Sequence, residues 1–218
     1  MKPDLVRKQS LLCLTRDDPD ISHLGQIERL LDAGASFIQL RSKSLPYNHL
    51  LQETESAVKL TKSKGCKLII NDDYKLAKKV DADGVHLGIS DAPIEVVRDY
   101  LPEQKIIGKT VHSLEEAQIA LEEKPDYIGL GPFRKSTTKT ELIPTLSEHD
   151  LKEILKLLQP IPVFLIGGLT SNDFHLIDHF GIQGICLCSA LHCEDKGSSS
   201  LPEIIQKSKC FEPSTHSF

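Results

Sequence analysis

Residues 67–91 run Lys67-Leu68-Ile69-Ile70-Asn71-Asp72-Asp73-Tyr74-Lys75-Leu76-Ala77-Lys78-Lys79-Val80-Asp81-Ala82-Asp83-Gly84-Val85-His86-Leu87-Gly88-Ile89-Ser90-Asp91. Lys67–Ile70 and Gly84–Leu87 are too short for helices and rich in Ile, Leu or Val, which suits strands buried on both faces. Tyr74–Lys79 between them reads as a helix, with Asp73 as its N-cap. The polar residues gather where each apolar run stops. This is one strand–helix–strand unit, and the same alternation fills the chain in both directions.

Further runs lie at Leu11–Leu14, Phe37–Leu40, Lys105–Gly108, Tyr127–Leu130, Val163–Ile166 and Gly184–Leu187. The spacing predicts helices over His23–Ala33, Tyr47–Lys64, Leu151–Leu158, Ser171–Phe180 and Leu201–Lys207. Gly34, Gly65 and Gly181 act as stop signals. Ser113 and Glu116 form a predicted capping box ahead of Ala117–Leu121. Eight such units predict a closed (β/α)8 TIM barrel of the α/β class. An open doubly wound sheet is the competing architecture. No linker divides the chain, so residues 1–218 are expected to form a single domain, with a frayed polar tail from Ser208.

The 218 residues carry a formal net charge of −5, too mild for a nucleic-acid or membrane footprint. No apolar stretch approaches the roughly 20 residues that cross a bilayer. Met1–Thr15 lacks the apolar core of a signal peptide. The six cysteines include no CxxC pair, and three sit in or beside apolar runs, which predicts a reducing, cytoplasmic setting. Small-molecule substrates are the expected partners, and self-association is left open.

The strand ends carry the candidate chemistry, because barrels of this type work at that rim. Alternation along Gln39-Leu40-Arg41-Ser42-Lys43 sets Gln39, Arg41 and Lys43 on one side. Arg41 and Lys43 there would clamp a multiply charged oxyanion; a surface ion pair is the competing reading. Asp72 and Asp91 close neighbouring strands and could share Mg²⁺, which takes oxygen ligands. Asp91 could instead cap a helix beginning near Pro93. His86, mid-strand, reads as a packed histidine rather than a ligand. Thr110 could donate a hydrogen bond, and His112 could transfer protons or be a partly buried histidine.

The loop Phe133-Arg134-Lys135-Ser136-Thr137-Thr138-Lys139 is rich in hydroxyls and cations and suits a phosphate, or is simply a solvated basic loop. Gly167-Gly168 lets a backbone approach a phosphate, and the loops after strands seven and eight, here with Ser189, often form such a site.

These phrases resemble one family. QLRSK (39–43), INDD (70–73), ADGVHLGISD (82–91), GKTVHS (108–113), DYIGLGPF (126–133), STTK (136–139), IGG (166–168) and CSAL (188–191) occur in the order and at the spacing of the thiamine-phosphate synthases. The resemblance covers Leu11 to Leu191. It implies a transferase that joins 4-amino-2-methyl-5-(diphosphooxymethyl)pyrimidine to a thiazole ethyl phosphate, releasing diphosphate. It places the pyrimidine diphosphate against Gln39, Leu40, Arg41, Ser42, Lys43, Asn71, Thr110 and Lys139. Of these, Arg41, Lys43, Thr110 and Lys139 carry catalysis. It places Mg²⁺ on Asp72 and Asp91, and the thiazole phosphate against Ser136, Thr137, Thr138, Gly168, Cys188 and Ser189.

Four positions depart from the family's habit: Ser42 stands for Glu, Ile89 for Gln, Thr110 for Ser and Lys135 for Pro. Ser42 should point away from the clamp. A sister group, the thiazole tautomerases, uses a histidine near the end of strand five, where His112 stands. An inert phosphate-binding regulator on the same barrel is a third reading. Arg41, Lys43, Asp72, Asp91 and Lys139 together favour the synthase.

Overall fold

The computed structural model describes residues 6–135, 144–192 and 199–211. In chain order the elements are β1 (Leu11–Leu14), α1 (His23–Asp32), β2 (Phe37–Leu40), α2 (Tyr47–Ser63), β3 (Lys67–Asn71), α3 (Tyr74–Lys79), β4 (Gly84–Leu87) and α4 (Ile94–Tyr100). They continue as β5 (Ile106–Val111), α5 (Leu114–Glu123), β6 (Tyr127–Leu130), α6 (Glu148–Leu158), β7 (Val163–Leu165), α7 (Leu176–Phe180), β8 (Gly184–Leu187), α8 (Ser189–His192) and α9 (Leu201–Lys209). All eight strands are parallel, each pairs with the next, and β8 returns to β1 through Leu11↔Ile185 and Leu12↔Cys186. The sheet is a closed barrel, so the open doubly wound alternative falls.

Alternation divides each strand between two cores. Leu12, Phe37, Ile69, Ile106, Tyr127, Phe164 and Cys186 fill the barrel interior. Their neighbours, such as Cys13, Ile38, Ile70 and Ile107, pack outward with the helices. The Phe37, Tyr127 and Phe164 rings meet in tilted or edge contacts at 5.7–5.9 Å. Each such pair adds about 0.5–1.5 kcal/mol beyond the area it buries. The interior below the rim is therefore packed with side chains.

Five strands occupy the residues the periodicity predicts. The informative difference is β5, expected at Lys105–Gly108 but running to Val111, where Val111 pairs with Leu130. Thr110 is consequently a strand residue facing inward, 6% exposed, rather than part of a rim loop. Residues 171–180 do not form one helix. Thr170 and Asp173 form a capping box around a short 3₁₀ turn, Ser171–Asp173, and α7 starts only at Leu176.

At α5 the box is incomplete. Ser113 accepts from Glu116 N, but the Glu116 carboxylate takes the His112 N–H. The last helix extends through Ser208, which is buried and whose carbonyl accepts from Ser10 Oγ at 2.6 Å. The expected fraying at Ser208 gives way to this seam, which Gln183 strengthens by donating to the Arg7 and Gln9 carbonyls.

Candidate active site

The rim is built from turns that aim side chains across the barrel mouth. After β3 the backbone folds back within three residues: Asp73 N donates to Asn71 O at 2.7 Å, with Asp72 at the centre and φ of 63°. Asp tolerates this left-handed conformation better than most residues, at a cost of roughly 1–3 kcal/mol. The turn leaves Asp73 to cap α3 through Leu76 N at 2.8 Å. It leaves Asp72 at the rim, where Oδ2 accepts from Lys43 Nζ at 2.5 Å.

Asp91 does not cap α4, whose N-cap is Pro93. Its Oδ2 instead accepts from Gly88 N at 2.6 Å and closes the turn after β4. Burial raises the Asp91 carboxyl above the usual carboxylate range; the Gly88 N–H opposes this, and the neighbouring Asp72 carboxylate adds to it. Asp72, Asp91 and Lys43 thus meet at one point on the mouth. Among the described residues no cluster of three or more His, Cys, Asp or Glu forms a protein-only metal cage. Two neighbouring carboxylates that repel one another fit Mg²⁺ in donor chemistry, since it is commonly held by one or two carboxylates together with substrate phosphates.

The segment that carries Arg41 and Lys43 has supports on β1's loop. Thr15 Oγ1 accepts the Arg41 N–H at 3.0 Å and pairs with His23 Nδ1 at 2.7 Å. His23 Nε2 reaches Asp17 Oδ1 at 3.1 Å. Asp17 also accepts from Ser42 Oγ and, at 2.8 Å, from Lys43 N. Burial opposes ionisation of Asp17, but these donors outweigh it and hold its carboxyl below the usual range. Ser42 therefore points into the supporting network and away from the clamp. Thr15, Asp17 and His23 were not singled out as site residues in the sequence. The signal was available: Thr15 and Asp17 follow the run Leu11–Leu14, just as the recognised residues follow theirs.

Inside the barrel, below the rim, Gln39 is buried beside Tyr127. His86 bridges Tyr127 Oη, at 2.9 Å from Nδ1, and Thr110 Oγ1, at 2.8 Å from Nε2. His86 is the packed, hydrogen-bonded residue its mid-strand position predicts. His112 Nδ1 lies 3.3 Å from the Glu116 carboxylate at the start of α5.

The far side of the mouth joins β6 to β7. Gly131–Pro132 is cis, Phe133 N donates to Ile166 O at 2.8 Å, and Arg134 N donates to Gly167 O at 3.1 Å. Arg134 then grips Asp173 with both terminal guanidinium nitrogens, at 2.8 and 2.9 Å. Gly168 has φ of 64°, and a Cβ there would lie 2.7 Å from Arg134 Cβ and 2.9 Å from Lys135 O. The approach that Gly168 permits is thus first that of the β6 loop. Ser136, Thr137, Thr138 and Lys139 lie outside the described residues. Cys188 is half-buried with Sγ 4.0 Å from Thr15 O, and Ser189 starts α8, whose His192 bonds Leu14 O at 2.8 Å.

Fold and rim define a (β/α)8-barrel enzyme, with cations and carboxylates gathered at the C-terminal strand ends. The chain belongs to the thiamine monophosphate synthase family, whose model matches residues 11–191. It is 35% identical over 210 residues to the thiamine-phosphate synthase of Dictyoglomus turgidum, covering 95% of this chain and 91% of that one. It is 36% identical over 186 residues to the Bacteroides fragilis thiamine-phosphate synthase, covering 84% and 91%. The thiamine phosphate pyrophosphorylase structure from Pyrococcus furiosus superposes with a TM-score of 0.81 at 28% identity, covering 95% of this chain and 98% of that one. The chain is accordingly an enzyme of the transferase class. No helix among the described residues is long and apolar enough to cross a membrane.

Proposed function

We propose that this enzyme is a thiamine-phosphate synthase that condenses 4-amino-2-methyl-5-(diphosphooxymethyl)pyrimidine with a thiazole ethyl phosphate to give thiamine phosphate and diphosphate. The observation that carries the reading is the meeting of Lys43, Asp72 and Asp91 at one point of the rim. A site of that charge pattern suits a diphosphate leaving group. The decisive assay incubates the protein with both substrates and Mg²⁺. Thiamine phosphate is the expected product; a folded protein that forms none would sink the proposal.

In the proposed reaction the bond between the pyrimidine methylene carbon and the diphosphate oxygen breaks first, and its electron pair leaves with the diphosphate. Arg41, Lys43 and Lys139 meet the developing negative charge, where preorganised cations act most strongly. Mg²⁺, held by Asp72 and Asp91, would supply further charge neutralisation on the diphosphate. Gln39, Asn71 and Thr110 orient the pyrimidine, with Leu40 and Ser42 completing the strand that carries the clamp. The thiazole phosphate rests against Ser136, Thr137, Thr138, Gly168, Cys188 and Ser189, so that the thiazole nitrogen attacks across the mouth at roughly 3–3.5 Å. The buried thiols Cys13 and Cys66 fit the reducing, cytoplasmic setting we propose for the enzyme.

Charge also develops on the pyrimidine in this scheme. An electron-withdrawing substituent on that ring is therefore expected to slow single-turnover chemistry by about a hundredfold, equivalent to roughly 2.7 kcal/mol of barrier. Rapid-quench measurement checks this, and an unchanged rate would count against early bond cleavage.

The support beneath the clamp yields a second expectation. Asp17→Ala leaves the Lys43 N–H and the Ser42 hydroxyl without their acceptor, so KM for the diphosphate substrate should rise about tenfold, on the scale of one or two lost hydrogen bonds. KM for the thiazole phosphate should hardly move. Steady-state kinetics with each substrate varied in turn would show it, and equal changes in both constants would refute the selective role.

A further inference from the structure

The polar chain inside the barrel joins groups on four strands: Gln39 on β2, His86 on β4, Thr110 on β5 and Tyr127 on β6. His86 is 7% exposed and Tyr127 is fully buried. The imidazole occupies a slot made by missing side chains. A Cβ on Gly108 would come within 2.6 Å of His86 Nδ1 and 2.2 Å of Tyr127 Cζ. A Cβ on Gly129 would lie 3.2 Å from His86 Cε1. The ring is thus held between Tyr127 and Thr110 in one orientation.

Hydrogen-bond chemistry sets the direction of this chain. Burial pushes the Tyr127 phenol well above its ordinary pKa and keeps it protonated. A buried phenol needs an acceptor for its hydrogen. Phenol is a stronger acid than a neutral imidazole N–H, and an imidazole nitrogen is a better base than a phenol oxygen. Gln39 also hydrogen-bonds the phenol and opposes the rise of its pKa, as an amide N–H donating to Oη does, so the favoured link for the phenol hydrogen is Tyr127 O–H to His86 Nδ1. A neutral imidazole then carries its proton on Nε2 and donates it to Thr110 Oγ1. With Nε2 protonated, His86 offers Thr110 no acceptor, so the hydrogen of Thr110 is left to point elsewhere.

We propose that His86 and Tyr127 are positioning residues that fix the Nε2–H tautomer of His86 and so make Thr110 a hydrogen-bond donor toward substrate in the barrel mouth. The partner of that donor is a ring nitrogen or another lone pair on the bound heterocycle. That last step rests on the synthase reading; the tautomer does not.

Two experiments test the proposal. In the intact enzyme labelled with ¹⁵N-histidine, His86 should show an unprotonated Nδ1 and a protonated Nε2. The opposite tautomer, or an imidazolium at neutral pH, would overturn it. Kinetics then tests the coupling. Tyr127→Phe keeps the ring against Phe37 and Phe164 and removes only the hydroxyl. Tyr127→Phe and Thr110→Val should each lower kcat/KM for the pyrimidine substrate about tenfold, the scale of one misdirected hydrogen bond. The double variant should lose about tenfold as well, because both changes remove the same donor. In a Thr110→Ser background, which keeps a hydroxyl, Tyr127→Phe should again cost about tenfold. A merely structural role for Tyr127 predicts losses that multiply to about a hundredfold, as independent sites do. That result would refute the coupling. If Thr110→Val leaves turnover unchanged, the substrate role of Thr110 fails, while the tautomer stands or falls on the spectrum.

Discussion

On the proposed Mg²⁺ role of Asp91, an Asp91→Asn enzyme is expected to lose about a hundredfold in turnover, equivalent to about 2.7 kcal/mol, and to need far more Mg²⁺ for half-maximal activity. Asn retains a carbonyl oxygen that can still accept the Gly88 N–H, the bond of 2.6 Å that closes the turn after β4. The substitution therefore separates the charge of Asp91 from its hold on the backbone. Asp91→Ala removes both and should also lower thermal stability, by about 1–3 kcal/mol for the stranded N–H. Mg²⁺ titrations and melting curves on the two variants distinguish the roles. A normal Mg²⁺ titration for Asp91→Asn would leave Asp91 as a turn-closing residue only.

Gly168→Val should damage stability and binding together. Its Cβ would sit 2.7 Å from Arg134 Cβ in a backbone with φ of 64°, so the β6 loop must move or the turn must rearrange. Overpacking and left-handed strain together amount to about 2–4 kcal/mol. For a chain of this size that corresponds to a melting temperature lower by about 5–12 °C. Displacing residues 134–135 also displaces the start of the hydroxyl loop, so KM for the thiazole phosphate should rise more than KM for the pyrimidine diphosphate. An unchanged melting temperature would show that the close packing at Gly168 carries no cost. Impairment toward the pyrimidine alone would overturn the division of the mouth.

The barrel was legible because its signal is repeated: each strand is a short apolar run, and the polar residues crowd one end of each. The meeting of Lys43 with Asp72 and Asp91 followed from the same rule. What stayed hidden was contact between distant segments. Periodicity places Asp17 after β1 and Lys43 after β2 but says nothing of a carboxylate reaching across to a backbone N–H. The cap reading of Asp91 was reasonable for an aspartate before Pro93, yet the turn after β4 took its oxygen first. Tyr127 looked like an ordinary first residue of a buried strand; only the inward face of the closed barrel shows its hydroxyl against His86. Gly168 suggested a phosphate approach, while the structure shows the neighbouring loop using that space. Thr110 reads as lying past a strand end because Lys109 interrupts the apolar run, although alternation continues through it.

The β8–β1 seam has a consequence for biogenesis. Leu11 pairs with Ile185. On the ribosome, β1 emerges more than a hundred residues before the strand that completes its hydrogen bonding. Throughout that interval the nascent sheet keeps two open edges, and open edges recruit other chains. The finished barrel has none, so its aggregation hazard belongs to synthesis and refolding rather than to the mature enzyme.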